Sequence, residues 1–298
     1  MKYSNPLPAE GINTTPTHPL KEFLLLSGGL IGVIAIFIFV VGFFAEKFAH
    51  YIPFETEVSI SQSVASTMSG QQGEVQVWLQ QLADELASAQ NLPEDMSITI
   101  HYVNSDTVNA MASLGGHVVM FRGLLEKLGS ENAIAMVLAH EVAHVHHRHP
   151  IQTLGRGAVI SLALAAIGVS SSDAGQILGT AGLLTELTFS RHQEQQSDFT
   201  ALRSLYHHYG HVGGATDLFE MFLKEEGDAI PRMTFFSTHP LSENRIVRIK
   251  AYAVEQSWPL SGQLVAVPEN IRERIRADAE RAVPEKSKEA AETIDAGA

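Results

Sequence analysis

His140-Glu141-Val142-Ala143-His144 is the stretch on which the reading of this chain turns. Residues four apart on an α-helix are rotated by only about 40° relative to each other. Two imidazoles at that spacing can grip one Zn²⁺ at roughly 2.0–2.1 Å. Glu141 sits beside the first of them, where its carboxylate reaches a water on the metal rather than the metal itself, as a metalloprotease requires. The flanking residues supply the helix. Ser130 is the expected N-cap, Glu131 suits the positive end of the dipole, and Ala133, Ile134, Met136, Val137, Leu138 and Ala139 form an apolar body that Pro150 closes.

A third ligand must come from elsewhere. An extended HExxHxxGxxH site would need Gly at 147 and His at 150, and the chain has His147 and Pro150 there. The segment from Ser190 to Asp198 instead offers Glu194 and Asp198 one helical turn apart. Glu194 would complete a His₂Glu site with a fourth position left for water. Asp198 could accept the free ring N–H of a ligand histidine and fix its tautomer. Without the HExxH such a pair would be read as a solvated helix face. His146, His147 and His149 admit a second reading as a metal-buffering tract, but histidines at a helix end are also favoured by the dipole.

At this point the chain resembles the zinc peptidases of the HtpX, BepA and CAAX prenyl protease type. Asn109-Ala110-Met111-Ala112 followed by Gly115-Gly116-His117-Val118-Val119 is similar to that family's strand segment, with Gly123-Leu124-Leu125 behind it. His140 to His149 reads HEVAHVHHRH, Glu194 and Asp198 match the second zinc helix, and Thr238-His239-Pro240 with Arg245-Ile246 match the late motif. The likeness covers residues 70–252. The chain departs from the family at Gln196-Ser197, where Glu-Ala is common, and at Leu114, where Pro is common.

The resemblance implies a mainly α, α+β gluzincin-type fold with a small sheet, holding one Zn²⁺ per chain through His140, His144 and Glu194. It implies Glu141 as general base, and His239 as either an oxyanion donor or a gate that approaches the metal. Asp198, His149 and Arg245 would stand behind the ligands. It also places substrate binding by strand addition at Gly115, Gly116, His117 and Val118. The partners are protein or peptide substrates.

Composition fits. The chain has 298 residues, no cysteine and a net charge of −13. Thiolate sites and disulfides are excluded, and a nucleic-acid partner, which needs a basic patch, is not expected. Phe23 to Ala45 carries no charge, and at ~1.5 Å per residue it spans about 34 Å, enough for a ~30 Å hydrocarbon core. No small-x-small cleavage signal closes it, so an uncleaved single-pass anchor is expected. Lys2 and Lys21 precede it, which favours a cytoplasmic N-terminus and an extracytoplasmic peptidase domain on the cell (inner) membrane.

The expected organisation is a polar leader (1–22), the anchor (23–45), a juxtamembrane connector (46–66), the peptidase domain (67–262) and a charged helical tail (263–298). Val75, Trp78, Leu79, Leu82 and Leu86 predict an amphipathic helix, and 97–103 and 117–121 predict strands. The apolar run 158–169 is too short to span and is expected as a buried or bilayer-touching helix.

Overall fold

A computed structural model describes residues 18–49, 51–68, 73–155, 157, 188–224, 235, 239 and 243–282. The run 158–169, most of the leader and residues 283–298 lie outside these. Along the chain come α1 (Pro19–Ala49), α2 (Phe54–Met68), α3 (Glu74–Ser88), β1 (Thr99–Val103), β2 (Ala110–Ala112) and β3 (His117–Phe121). They are followed by α4 (Arg122–Lys127), α5 (Glu131–His146), α6 (Arg191–Tyr209), α7 (Asp217–Lys224), α8 (Glu243–Glu255) and α9 (Glu269–Ala282). The mainly α fold with one small sheet is the expected one.

The centre is α5. Every residue from Asn132 to Val145 is buried, so this helix is enclosed on all sides rather than amphipathic. Its start is fixed as the sequence suggests: Ser130 Oγ accepts from the Ala133 N–H at 3.2 Å. Its end differs. The helix stops at His146, Arg148 takes a left-handed φ of 60°, and the chain is helical again over 149–155. Pro150 therefore opens the next helix, where its missing N–H costs nothing, instead of closing α5. Helix α3 covers one side of α5 with Val75, Leu79, Leu82 and Leu86, and α6 covers another with Ala201, Leu202 and Leu205. Helix α8 buttresses α6 through Tyr252 stacked on Phe199 at 3.9 Å.

The sheet runs β1-β3-β2. β1 pairs parallel to β3 with Ile100 opposite Val118, and β2 pairs antiparallel with Ala112 opposite Val118. The alternation puts Ile100, Val118 and Met120 on the core face, all fully buried. Gly115 and Gly116, with φ of 70° and 82°, turn the chain from β2 into β3. This alters the expectation for the substrate edge: His117 and Val118 lie in the middle strand, bonded on both sides. The outer strand next to α5 is β2, whose other edge carries no strand among the described residues.

Helix α1 is long and apolar enough to cross a membrane, with Phe23, Leu24, Leu25, Leu30 and Ile31 all exposed. The connector is no loose linker. α2 packs on the Leu114–Gly116 turn, and Ala49 and Ile52 meet Leu114, Ile151 and Leu154 in a small apolar cluster. Residues 263–282, the described part of the expected charged helical tail, are likewise bound in. Val267, Ile271 and Ile275 join the core, and the Glu131 N–H donates to Val265 O at 2.9 Å. Two isoleucines one turn apart are enough to seat an otherwise charged helix on α3 and α4.

Candidate metal centre

The second site helix begins on a capping box. Ser190 Oγ accepts from the Gln193 N–H while the Gln193 side chain accepts from the Ser190 N–H. Glu194 thus sits in the first turn of α6, at the positive end of its dipole, with Asp198 one turn on. Both are buried against α5. Four side chains converge there: the ligating atoms of His140, His144, Glu194 and His239 all lie within 4.8 Å of one another. His140 Nε2 is 3.0 Å from His144 Nε2. Glu194 Oε1 is 3.4 Å from His144 Nε2, and Oε2 is 3.6 Å from His140 Nε2. His239 Nδ1 lies 2.9 Å from Glu194 Oε1 and 3.4 Å from His140 Nε2.

These residues fit a metal ion. Donors about 2.0–2.1 Å from a tetrahedral zinc stand roughly 3.4 Å from each other, close to the separations just given. Among the described residues, neither buried carboxylate oxygen of Glu141 has a hydrogen-bond partner, and His239 Nε2 stands 3.4 Å from Oε1. Buried polar atoms are ordinarily bonded, so an unpartnered carboxylate beside four converging donors calls for a group that the side chains do not themselves supply.

The outer nitrogens of both candidate ligands are held. Asp198 Oδ1 is 3.1 Å from His140 Nδ1. His149 Nδ1 is 3.0 Å from His144 Nδ1, and its Nε2 is 3.3 Å from Gln196 Oε1. With His144 Nε2 turned to the cluster, its Nδ1–H donates to His149, whose Nε2–H is left for Gln196. The departure from the family pattern at Gln196 therefore supplies a neutral acceptor in this relay. Arg245, fully buried, donates to both Asp198 oxygens at 2.8 Å and stands 2.7 Å from Glu194 Oε2. Phe189 stacks on the His144 ring at 3.9 Å, and Phe235 on the His239 ring at 4.5 Å. The sequence reading names neither phenylalanine, although for Phe189 an apolar residue ahead of the Ser190 cap is the available signal.

The electrostatics favour the charges a cation needs. Burial opposes ionisation of Glu194, but His239, Arg245 and hydrogen bonds from His140 and His144 outweigh it and hold the carboxyl well below its usual range. Asp198 is held down against burial chiefly by Arg245. Burial also disfavours a charge on His140, yet the bonds to Asp198 and Glu194 raise it to about 9; a metal ion would take the place of that proton. Burial keeps His149 neutral, down to about 3, as its place in the relay requires.

Of the residues expected from the sequence, His140, Glu141, His144, His149, Glu194, Asp198, His239 and Arg245 are brought together. Gly115 and Gly116 form the tip of the β2–β3 hairpin, and His117 pairs instead with His101, Nδ1 to Nε2 at 2.9 Å. Residues 74–253 match the profile of Peptidase family M48. This chain belongs to that family. M48 metallopeptidases depend on a metal, and among the described residues the quartet above could hold one. The chain is 32% identical over 181 residues to the mitochondrial metalloendopeptidase OMA1 of Schizosaccharomyces pombe, covering 56% of this chain and 53% of that protein. It is 27% identical over 158 residues to the beta-barrel assembly-enhancing protease of Escherichia coli, covering 48% of this chain and 32% of that protein. The chain thus spans 53% and 32% of the length of these two curated relatives.

Proposed function

We propose that this M48 chain is a zinc-dependent metalloendopeptidase that hydrolyses peptide bonds in misfolded or envelope proteins. It is anchored in the cell membrane by α1, with its peptidase domain on the extracytoplasmic side. The observation that carries this reading is the buried, unpartnered carboxylate of Glu141 beside the four converging donors. A zinc-stabilised scaffold or chaperone would need the cluster but has no use for such a carboxylate, which is costly to bury. The protease and metalloendopeptidase names of the relatives support the same reading.

His140, His144 and Glu194 would hold the ion, a His₂Glu set that suits zinc. When bound, zinc supplies Lewis acidity to the scissile carbonyl and makes water more acidic. Glu141 takes the proton of the attacking water on a carboxylate oxygen and later delivers it to the leaving amine. Asp198 and His149 hold the ligand imidazoles in one tautomer. An extended peptide would add to the free edge of β2, which supports Ala110–Ala112 rather than His117 and Val118 as its backbone partner.

His239 sits among the ligands, and its two nitrogens face Glu194 and Glu141. That placement favours a resting state in which His239 occupies the position that water must take.

The test is cleavage of an unfolded protein by the full chain in detergent micelles. Activity should vanish on chelation and return with zinc; a zinc-loaded, folded protein that cleaves nothing either as wild type or as His239→Ala would overturn the proposal. Comparing membrane and envelope proteins bound by wild type and by Glu141→Gln would then identify substrates.

A further inference from the structure

Helix α2 precedes the M48 segment, which begins at residue 74, yet it packs on the Leu114–Gly116 turn and bonds to the turn that follows α5. Glu57, on the inner face of α2, has a side chain only 3% exposed. Its carboxylate serves two distant parts of the chain. Oε1 accepts from Arg148 Nε at 2.6 Å, and Oε2 accepts the backbone N–H of Gly115 at 3.3 Å. Arg148 is the left-handed residue in the turn after α5, and it also donates to Ile52 O at 2.8 Å. Its guanidinium lies over the Phe54 ring, 5.6 Å from the centroid. Gly115 is the tip of the hairpin that joins β2 to β3. A Cβ there would run into Ser61 Oγ, and one on Gly116 would meet the Ser97 carbonyl and the Phe54 ring. Helix α2 therefore touches the hairpin tip at backbone distance.

β2 is three residues long and, among the described residues, pairs with a strand on one side only. Ala110 and Ala112 seat it in the core beside α5, but a strand that short depends on its neighbours to hold its hairpin end in place. Glu57 ties the hairpin tip and the end of the metal helix to one buried carboxylate. We infer that Glu57 is a positioning residue for peptide binding: through Gly115 and Arg148 it sets where the β2 edge stands relative to the metal centre. The helix that leaves the membrane anchor thereby becomes part of the peptidase site. This rests on the peptidase reading above.

Glu57→Gln in the full-length protein isolates the claim. Two donors need two acceptor oxygens, and an amide has one, so an N–H must face either Arg148 or Gly115 whichever way it turns. Amide hydrogen exchange over residues 110–116 should then speed up about tenfold or more, the size of one charge-assisted hydrogen bond, while α5 stays protected. Zinc content should hold. KM for a peptide substrate should rise about 10–100-fold with a smaller change in kcat, and Glu57→Asp, which keeps both oxygens, should recover part of the loss. Unchanged exchange over 110–116 overturns the inference, as does a loss of activity that follows zinc content or melting temperature. Absence of peptidase activity from both wild type and His239→Ala defeats the peptidase reading itself. An active wild type with an unaltered KM in Glu57→Gln defeats this inference alone.

Discussion

Asp198 Oδ1 stands 3.1 Å from His140 Nδ1, on the opposite side of the ring from the nitrogen that meets His144. The same carboxylate takes both hydrogen bonds from Arg245. One residue thus orients a candidate ligand and neutralises the buried guanidinium that braces it. Glu194, one turn earlier, faces the cluster directly. The two acids of α6 differ in what they touch, and their substitutions should differ accordingly.

Glu194→Ala should lose zinc on dialysis, since it removes a donor atom. Asp198→Asn should retain zinc more weakly than wild type, because loss of such an outer partner typically costs about 10–100-fold in metal affinity or activity. Metal analysis after dialysis against a graded chelator series separates the two. Zinc held equally by wild type and the Glu194 variant would mean that another residue, with His239 nearest, completes the site.

Glu141→Gln should keep fold and zinc and lower kcat by about 10²–10⁴-fold, the usual worth of a positioned general base. The circular dichroism spectrum and metal content serve as controls. Peptide cleavage at the wild-type rate by the zinc-loaded variant would remove Glu141 from the mechanism.

Much of this was legible in the sequence because it is local. The cap at Ser130, the HExxH spacing and the Glu194–Asp198 turn are all set within one helix each. β3 was legible as a short apolar run entered through Gly115-Gly116, but its place in the middle of the sheet was not. Strand order is decided by β1 crossing over to pair in parallel, which no window of β3 can reveal. His239 is 45 residues beyond Glu194 with no periodic signal of its own, and only the family resemblance pointed to it. Glu57 read as one more polar residue of a connector, since its partners are 58 and 91 residues away in sequence. Glu269–Ala282 was legible as a charged helix, but its seat on the core was not, because among so many charges only two isoleucines carry the packing.

Topology is open to a direct check. Lys2 and Lys21 precede the span and Lys47 follows it, so the positive charge lies mainly on the N-terminal side. A reporter active only in the cytoplasm, fused after residue 298, should be silent, and one active only outside it should work. Activity of the cytoplasmic reporter would place the peptidase domain on the other side.

His239 provides the sharpest test, because its two candidate roles move the rate in opposite directions. Its ring is held by Phe235 and points one nitrogen at Glu194 Oε1, 2.9 Å away, and the other at Glu141 Oε1, 3.4 Å away. With His140, His144 and Glu194 holding an ion as proposed, His239 in that position would stand where water must enter and against the base. His239→Ala should therefore raise the rate of peptide hydrolysis while leaving His140, His144 and Glu194 to hold zinc. If His239 instead swings out to donate to the developing oxyanion, its removal should lower kcat by about 10²–10³-fold with little change in KM or zinc content. Steady-state kinetics on the zinc-loaded variant decide between them, and an unchanged rate would leave His239 as a packing residue beneath Phe235.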